Sequence, residues 1–117
     1  MQLHFLNPGN NKQANAVQIF FPFLSFHNDI QYIDYLKLDV QGFEPQCIDG
    51  AKNLIETKSI GVLRIEITPG NFYEKSFTLY EIEDRLSPYY QLYTVLGLHY
   101  GKKDNLLYFD AIFVKQN

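Results

Sequence analysis

Two carboxylates in this sequence stand where strand-like runs end. Asp39 closes residues 33–40 (IDYLKLDV) just before Gln41-Gly42, and Glu66 lies near the end of residues 59–68 (SIGVLRIEIT). A carboxylate held at a strand terminus can orient a hydroxyl and accept its proton, which is general-base work. The competing reading of Asp39 is a carboxylate that bonds nearby backbone amides at a strand-to-helix turn. Glu66 is similarly divided between an active-site mouth and neutralisation by Arg64 or Lys37. Glu44 sits where a helix should open, and an acid there complements the positive end of the helix dipole rather than acting as a base. His99 is of a type that could serve as a methyl-transfer base, but its place at the end of a strand marks it as a hairpin residue. His4 and His27 complete the set; no pair of histidines has helical or hairpin ligand spacing, so no metal is expected. Cys47 falls on an apolar helical face and reads as a packed thiol, not a nucleophile. Phe43, Phe72, Tyr73 and Tyr89 read chiefly as core, with Phe72-Tyr73 placed to line a pocket after the second strand.

The elements that must position these residues follow from periodicity. Residues 33–40 are mostly apolar with β-branched ends and suit an interior strand. Cys47, Ile48, Ala51, Leu54 and Ile55 then recur at helical spacing, with Glu44 and Pro45 at the start, where acid and proline are best tolerated. Gly50 inside that pattern costs about 1 kcal/mol relative to alanine and divides the helix into two short pieces. A second strand spans 59–68 and stops at Thr68-Pro69-Gly70. Thr78 and Glu81 form a capping-box pair, and Leu79, Ile82 and Leu86 make one apolar face before Ser87-Pro88 ends the helix. Runs at 90–98 and 106–115 flank the polar segment 101–105 and pair as an antiparallel hairpin. The order from residue 33 is strand, helix, strand, helix, strand, strand. Helices should therefore cover a sheet that is parallel at its start, with ligands beyond the carboxyl ends of the parallel strands, at 39–42 and 66–69.

Residues 1–30 form an irregular or β-rich joining segment before the α/β unit of 31–117. Residues 7–11 (NPGNN) are dense in turn formers, and 17–26 favour strand, though Pro22 pushes that run towards an edge or a break.

Composition removes several partners. The 117 residues suit one domain. Their 46% hydrophobic and 16% aromatic content argues against disorder. With 13 acidic against 10 basic side chains and a net charge of −3, no basic patch addresses nucleic acid or an anionic membrane. The longest apolar stretch is far short of a bilayer span, and the N-terminus lacks the pattern of a signal peptide, so a cytoplasmic protein is expected. A single cysteine excludes an internal disulfide.

The segments YLKLDVQGFEPQCIDGAKNLI, GVLRIEITP and YFDAIFVK resemble the FkbM family of S-adenosylmethionine-dependent methyltransferases, across residues 31 to 115. The residues that carry the resemblance are Lys37, Asp39, Gln41, Gly42, Glu44, Gly50, Ala51 and Glu66, with Gln41 standing where many relatives have Glu. The resemblance implies the C-terminal half of a Rossmann-like methyltransferase sheet, with parallel strands followed by an antiparallel terminal hairpin whose last strand is inserted. It implies methyl transfer from S-adenosylmethionine to a hydroxyl of a sugar or related metabolite, a small molecule or a glycan. Asp39 and Glu66 would then be catalytic, with Asp39 also holding the methionine end of the cofactor. The half that grips the cofactor through a glycine-rich turn is expected before Met1. The rival expectation is a non-catalytic remnant, or one subunit of a split protein, because strand 33–40 without its neighbours would expose an apolar edge for residues 1–30, a second copy or a complementing N-terminal half to cover.

Overall fold

The computed structural model describes residues 3–6, 13–19, 31–40, 42–69 and 77–117. Its strands are β1 (Leu3–Leu6), β2 (Gln13–Ile19), β3 (Tyr32–Leu38), β4 (Ile60–Ile67), β5 (Tyr90–Tyr100) and β6 (Leu106–Lys115). Its helices are α1 (Glu44–Gly50), α2 (Lys52–Glu56) and α3 (Leu79–Leu86). The strands form one sheet in the order β1-β2-β3-β4-β6-β5. β2, β3 and β4 run parallel, and β1, β6 and β5 are antiparallel to their neighbours. The expected mixed architecture is therefore present, with the last strand inserted between β4 and β5.

Period-2 alternation sets the buried face. Leu36 pairs with Leu63 and Leu63 with Phe113; Leu38, Ile65 and Ala111 form the next row, and Ile67 with Phe109 the one after. All of these are buried. Side chains of one parity share a face of a strand, so these rows form one apolar surface. Cys47, Ile48 and Ala51, with Ile55 of α2 and Ile82 and Leu86 of α3, join them in a single core cluster. Each fully buried Leu, Ile or Phe contributes roughly 1.5–3 kcal/mol, which is why a short chain can hold short helices against its sheet. An Arg85 Nε to Asp49 Oδ1 contact of 3.2 Å ties α3 to α1. The opposite parity carries Lys37, Arg64, Glu66, Asp110 and Ile112, all partly exposed.

The local signals act as read. The helix after β3 is in two pieces, α1 ending at Gly50 and α2 starting at Lys52. Thr78 caps α3, its Oγ1 accepting the Glu81 N–H at 3.2 Å. The start of β5 is held from a distance: the buried Tyr90 hydroxyl accepts the Ile60 N–H at 3.0 Å and donates to the Ile60 carbonyl at 2.7 Å.

The structure corrects the expectation for the strand near residue 17. The strand is β2, it starts earlier, at Gln13, and it is interior, between β1 and β3. Pro22 is outside the described residues. β2 pairs with β3 from Gln13↔Tyr32 to Ile19↔Leu38. The β3 edge that would have called for a partner is thus filled from within the chain. Residues 7–11, 20–26 and Phe72-Tyr73 lie outside the described residues, as do Gln41 and His27.

Candidate functional site

β3 and β4 are parallel, so their carboxyl ends lie at the same rim of the sheet. β3 stops at Leu38, which leaves Asp39 as the first residue past the strand, and Glu66 is the penultimate residue of β4. Asp110, on the antiparallel β6, is the register partner of Glu66. The sheet therefore brings carboxylates from a strand end, its neighbour and an inserted strand to one rim. The sequence reading identified Asp39 and Glu66 there and missed Asp110, because only the strand order places β6 beside β4.

Glu66 and Asp39 are hydrogen-bonded to each other through their side chains. The Glu66 carboxyl is pushed up to about 7, first by burial, then by the charge of Asp39 and the bond to it, and further by Asp110 and Glu44. Near neutral pH it exchanges a proton readily while bonded to a second carboxylate. Paired carboxyl groups in unlike environments are a usual basis for acid and base roles.

Arg64 neutralises a different acid from the one anticipated. Its Nε donates to Asp110 Oδ2 at 2.8 Å, and Nη2 binds the same oxygen at 2.5 Å. The alternation of the strand puts Arg64 and Glu66 on the same face, and the guanidinium is committed across to β6. Asp110 is thus the ion-pair partner of Arg64 and the register neighbour of Glu66.

Glu44 holds the turn that leads out of β3. It is 2% exposed. Its Oε2 accepts the Val40 N–H and its Oε1 the Gly42 N–H, each at 2.8 Å. Burial raises its pKa and these donors oppose that rise. Glu44 stands at the helix start as expected, but its partners are the turn amides, a role the sequence reading weighs for Asp39. Gly42 has φ of 101°, a conformation that favours glycine. The turn that carries Asp39 is therefore fixed from both sides.

The other candidates fall elsewhere. His99 stacks on Tyr108 with ring centroids 4.1 Å apart, as a hairpin residue. Cys47 is buried, its thiol pushed up to about 12 mainly by burial, which makes it a poor nucleophile. Among the described residues no group of His, Cys, Asp and Glu is arranged to hold a metal ion, and no helix is long and apolar enough to cross a membrane. A shallow groove of about 310 Å³ opens between α3 and β5, lined by Tyr80, Glu83, Asp84, Gln91 and Leu92 among others. Neither Asp39 nor Glu66 lines it. The acids at the ends of parallel strands, where open α/β sheets bind their ligands, are the better placed for chemistry.

A mixed α/β sheet with acidic groups at the carboxyl ends of its parallel strands defines a class: α/β proteins built on an open sheet, in which ligands bind at that rim. Residues 8–100 match the methyltransferase FkbM domain, and the chain belongs to that family of methyltransferases. No curated protein and no solved structure matches the chain.

Proposed function

We propose that this chain forms the acceptor-side, C-terminal part of a Rossmann-like, S-adenosylmethionine-dependent O-methyltransferase acting on a hydroxyl of a sugar, a related metabolite or a glycan. The observation that carries the reading is the hydrogen-bonded Asp39–Glu66 pair at the carboxyl ends of two parallel strands. Family membership supports methyl transfer, and the donor set supports the kind of donor. S-adenosylmethionine, when bound, supplies an electrophilic methyl group on a cationic sulfur and carries an ammonium group. A rim bearing the Asp39–Glu66 pair suits positive charge, Asp110 being already paired with Arg64. Asp39 would hold the ammonium end or face the acceptor. The described turn after β3 offers no spare cradle for an anion, since Glu44 takes the Val40 and Gly42 amides.

For the reaction, these residues have two tasks. The first is orientation: a hydroxyl bonded to a carboxylate fixed at a strand end is held with its oxygen towards the methyl group, and such positioning is a large part of the available acceleration. The second is the proton. S-adenosylmethionine, when bound, would supply the methyl group and keep the electron pair of the broken sulfur–carbon bond as a neutral thioether, while the Asp39–Glu66 pair would take the hydroxyl proton and pass it to water.

Isothermal titration of the chain with S-adenosylmethionine tests the reading. If the 117 residues act without a further cofactor-gripping half, saturable binding is expected, weakened tenfold or more in Asp39→Asn. A flat titration of the unmodified chain overturns the assignment of a donor site to it.

A further inference from the structure

β5 ends the sheet, one strand beyond the Asp110 of the acidic rim: β6 pairs with one of its edges, and no described strand pairs with the other. From Gln91 to Tyr100 every residue is exposed except Thr94, which is half-buried. Tyr93 is 72% exposed, Tyr100 59%, Leu98 48% and Leu96 44%, with Leu92, Val95 and the adjoining Tyr108 close to 40%. Edge strands are ordinarily protected by Lys, Glu, Pro or bulges. The segment YQLYTVLGLHY contains no Lys, Arg, Asp, Glu or Pro. It does carry bulges, as register shifts against β6 between Leu92 and Thr94 and between Leu96 and His99, and Gly97 has φ of 62°. The stretch from Thr94 to Leu96 between them is regular.

We propose that β5 is the self-association surface of this protein, and that its occupant is β5 of a second copy, antiparallel about a two-fold axis at Val95. Size is the first argument. Taking ~200 Å² for a tyrosine and somewhat less for Leu or Val, the exposed side chains amount to on the order of 600 Å² of apolar surface, before the open backbone edge is added. A stable interface buries about 800 Å² per partner. Self-complementarity is the second. A two-fold contact sets a patch against itself, and a patch without charges meets no like charge there. The third is direction: the axis makes β5 antiparallel to its copy, the same relation it has to β6. The bulges confine ladder bonds to the three residues around Val95 and leave most of the burial to the flanking tyrosines and leucines.

Sedimentation velocity and light scattering test the proposal. At micromolar concentration a species of twice the 13.7 kDa chain mass is expected, and the exposed-site variants Tyr93→Lys and Leu96→Lys should sediment as folded monomers, checked by circular dichroism. Val95→Cys should oxidise to a disulfide-linked dimer, because facing positions across antiparallel strands lie about 4.5–5.5 Å apart, while buried Cys47 does not compete. A monomeric unmodified chain, a dimer that survives both lysine variants, or a dimer that Val95→Cys fails to cross-link would each overturn it.

Discussion

Glu66 has a carboxyl whose proton affinity differs between folded and unfolded chain, so it writes a pH dependence into stability. Its folded value of about 7 lies above the ordinary 4.5. The folded state therefore binds the extra proton between those values, and stability falls as pH rises through that window. The contribution is fully present below pH 4.5 and gone above 7. Glu66→Gln cannot ionise. Its stability relative to the unmodified chain should rise across the same window, by on the order of 1–3 kcal/mol at completion. Urea denaturation of both proteins at a series of pH values reads that difference, and a constant offset would show that Asp39 and burial do not act on Glu66 as described. Glu44 gives a second test. Glu44→Ala strands the Val40 and Gly42 amides, at roughly 1–3 kcal/mol for each buried donor, whereas Glu44→Gln keeps one acceptor and should cost less. Equal midpoints for the two variants would argue against the turn being held by this side chain. Glu44 was legible from its place before Pro45. Asp110 and the true partner of Arg64 were not, because neither has a local signature.

At the scale of elements, locally encoded features were read well. β6 spans the run 106–115, the Thr78–Glu81 cap opens α3, and Gly50 divides the helix after β3. The misses share one cause, which is that they depend on which strand lies beside which. β2 could be placed in the interior only once it was known to pair with β3, and Tyr90 became an anchor only because β4 begins within reach of its hydroxyl. Tyr90→Phe tests that anchor. It keeps the ring in the core but leaves the Ile60 N–H and carbonyl without the hydroxyl, so a loss of roughly 1–3 kcal/mol is expected by thermal or urea unfolding. An unchanged midpoint would mean that water replaces the hydroxyl at no cost.

Across the whole molecule, acidic and apolar exposed groups lie on different strands of the sheet. The acids gather at the carboxyl rim of β3 and β4, and the uncharged aromatic strand β5 lies at the opposite margin from β1. The proposed self-association strand and the candidate acidic rim meet at β6, whose Asp110 is in register with both Glu66 and Leu96. The insertion of β6 also bears on how the chain is made. β5 leaves the ribosome before β6, yet in the finished sheet it touches β4 only through it. An aromatic strand must therefore wait, with no neighbour on either side, until residues 106–115 emerge and slot in beside β4, some forty residues behind. Non-local pairing of this kind is slow and leaves apolar backbone open to wrong partners meanwhile. For the nascent chain, the hazardous interval is the short one between the synthesis of Tyr100 and the arrival of Lys115.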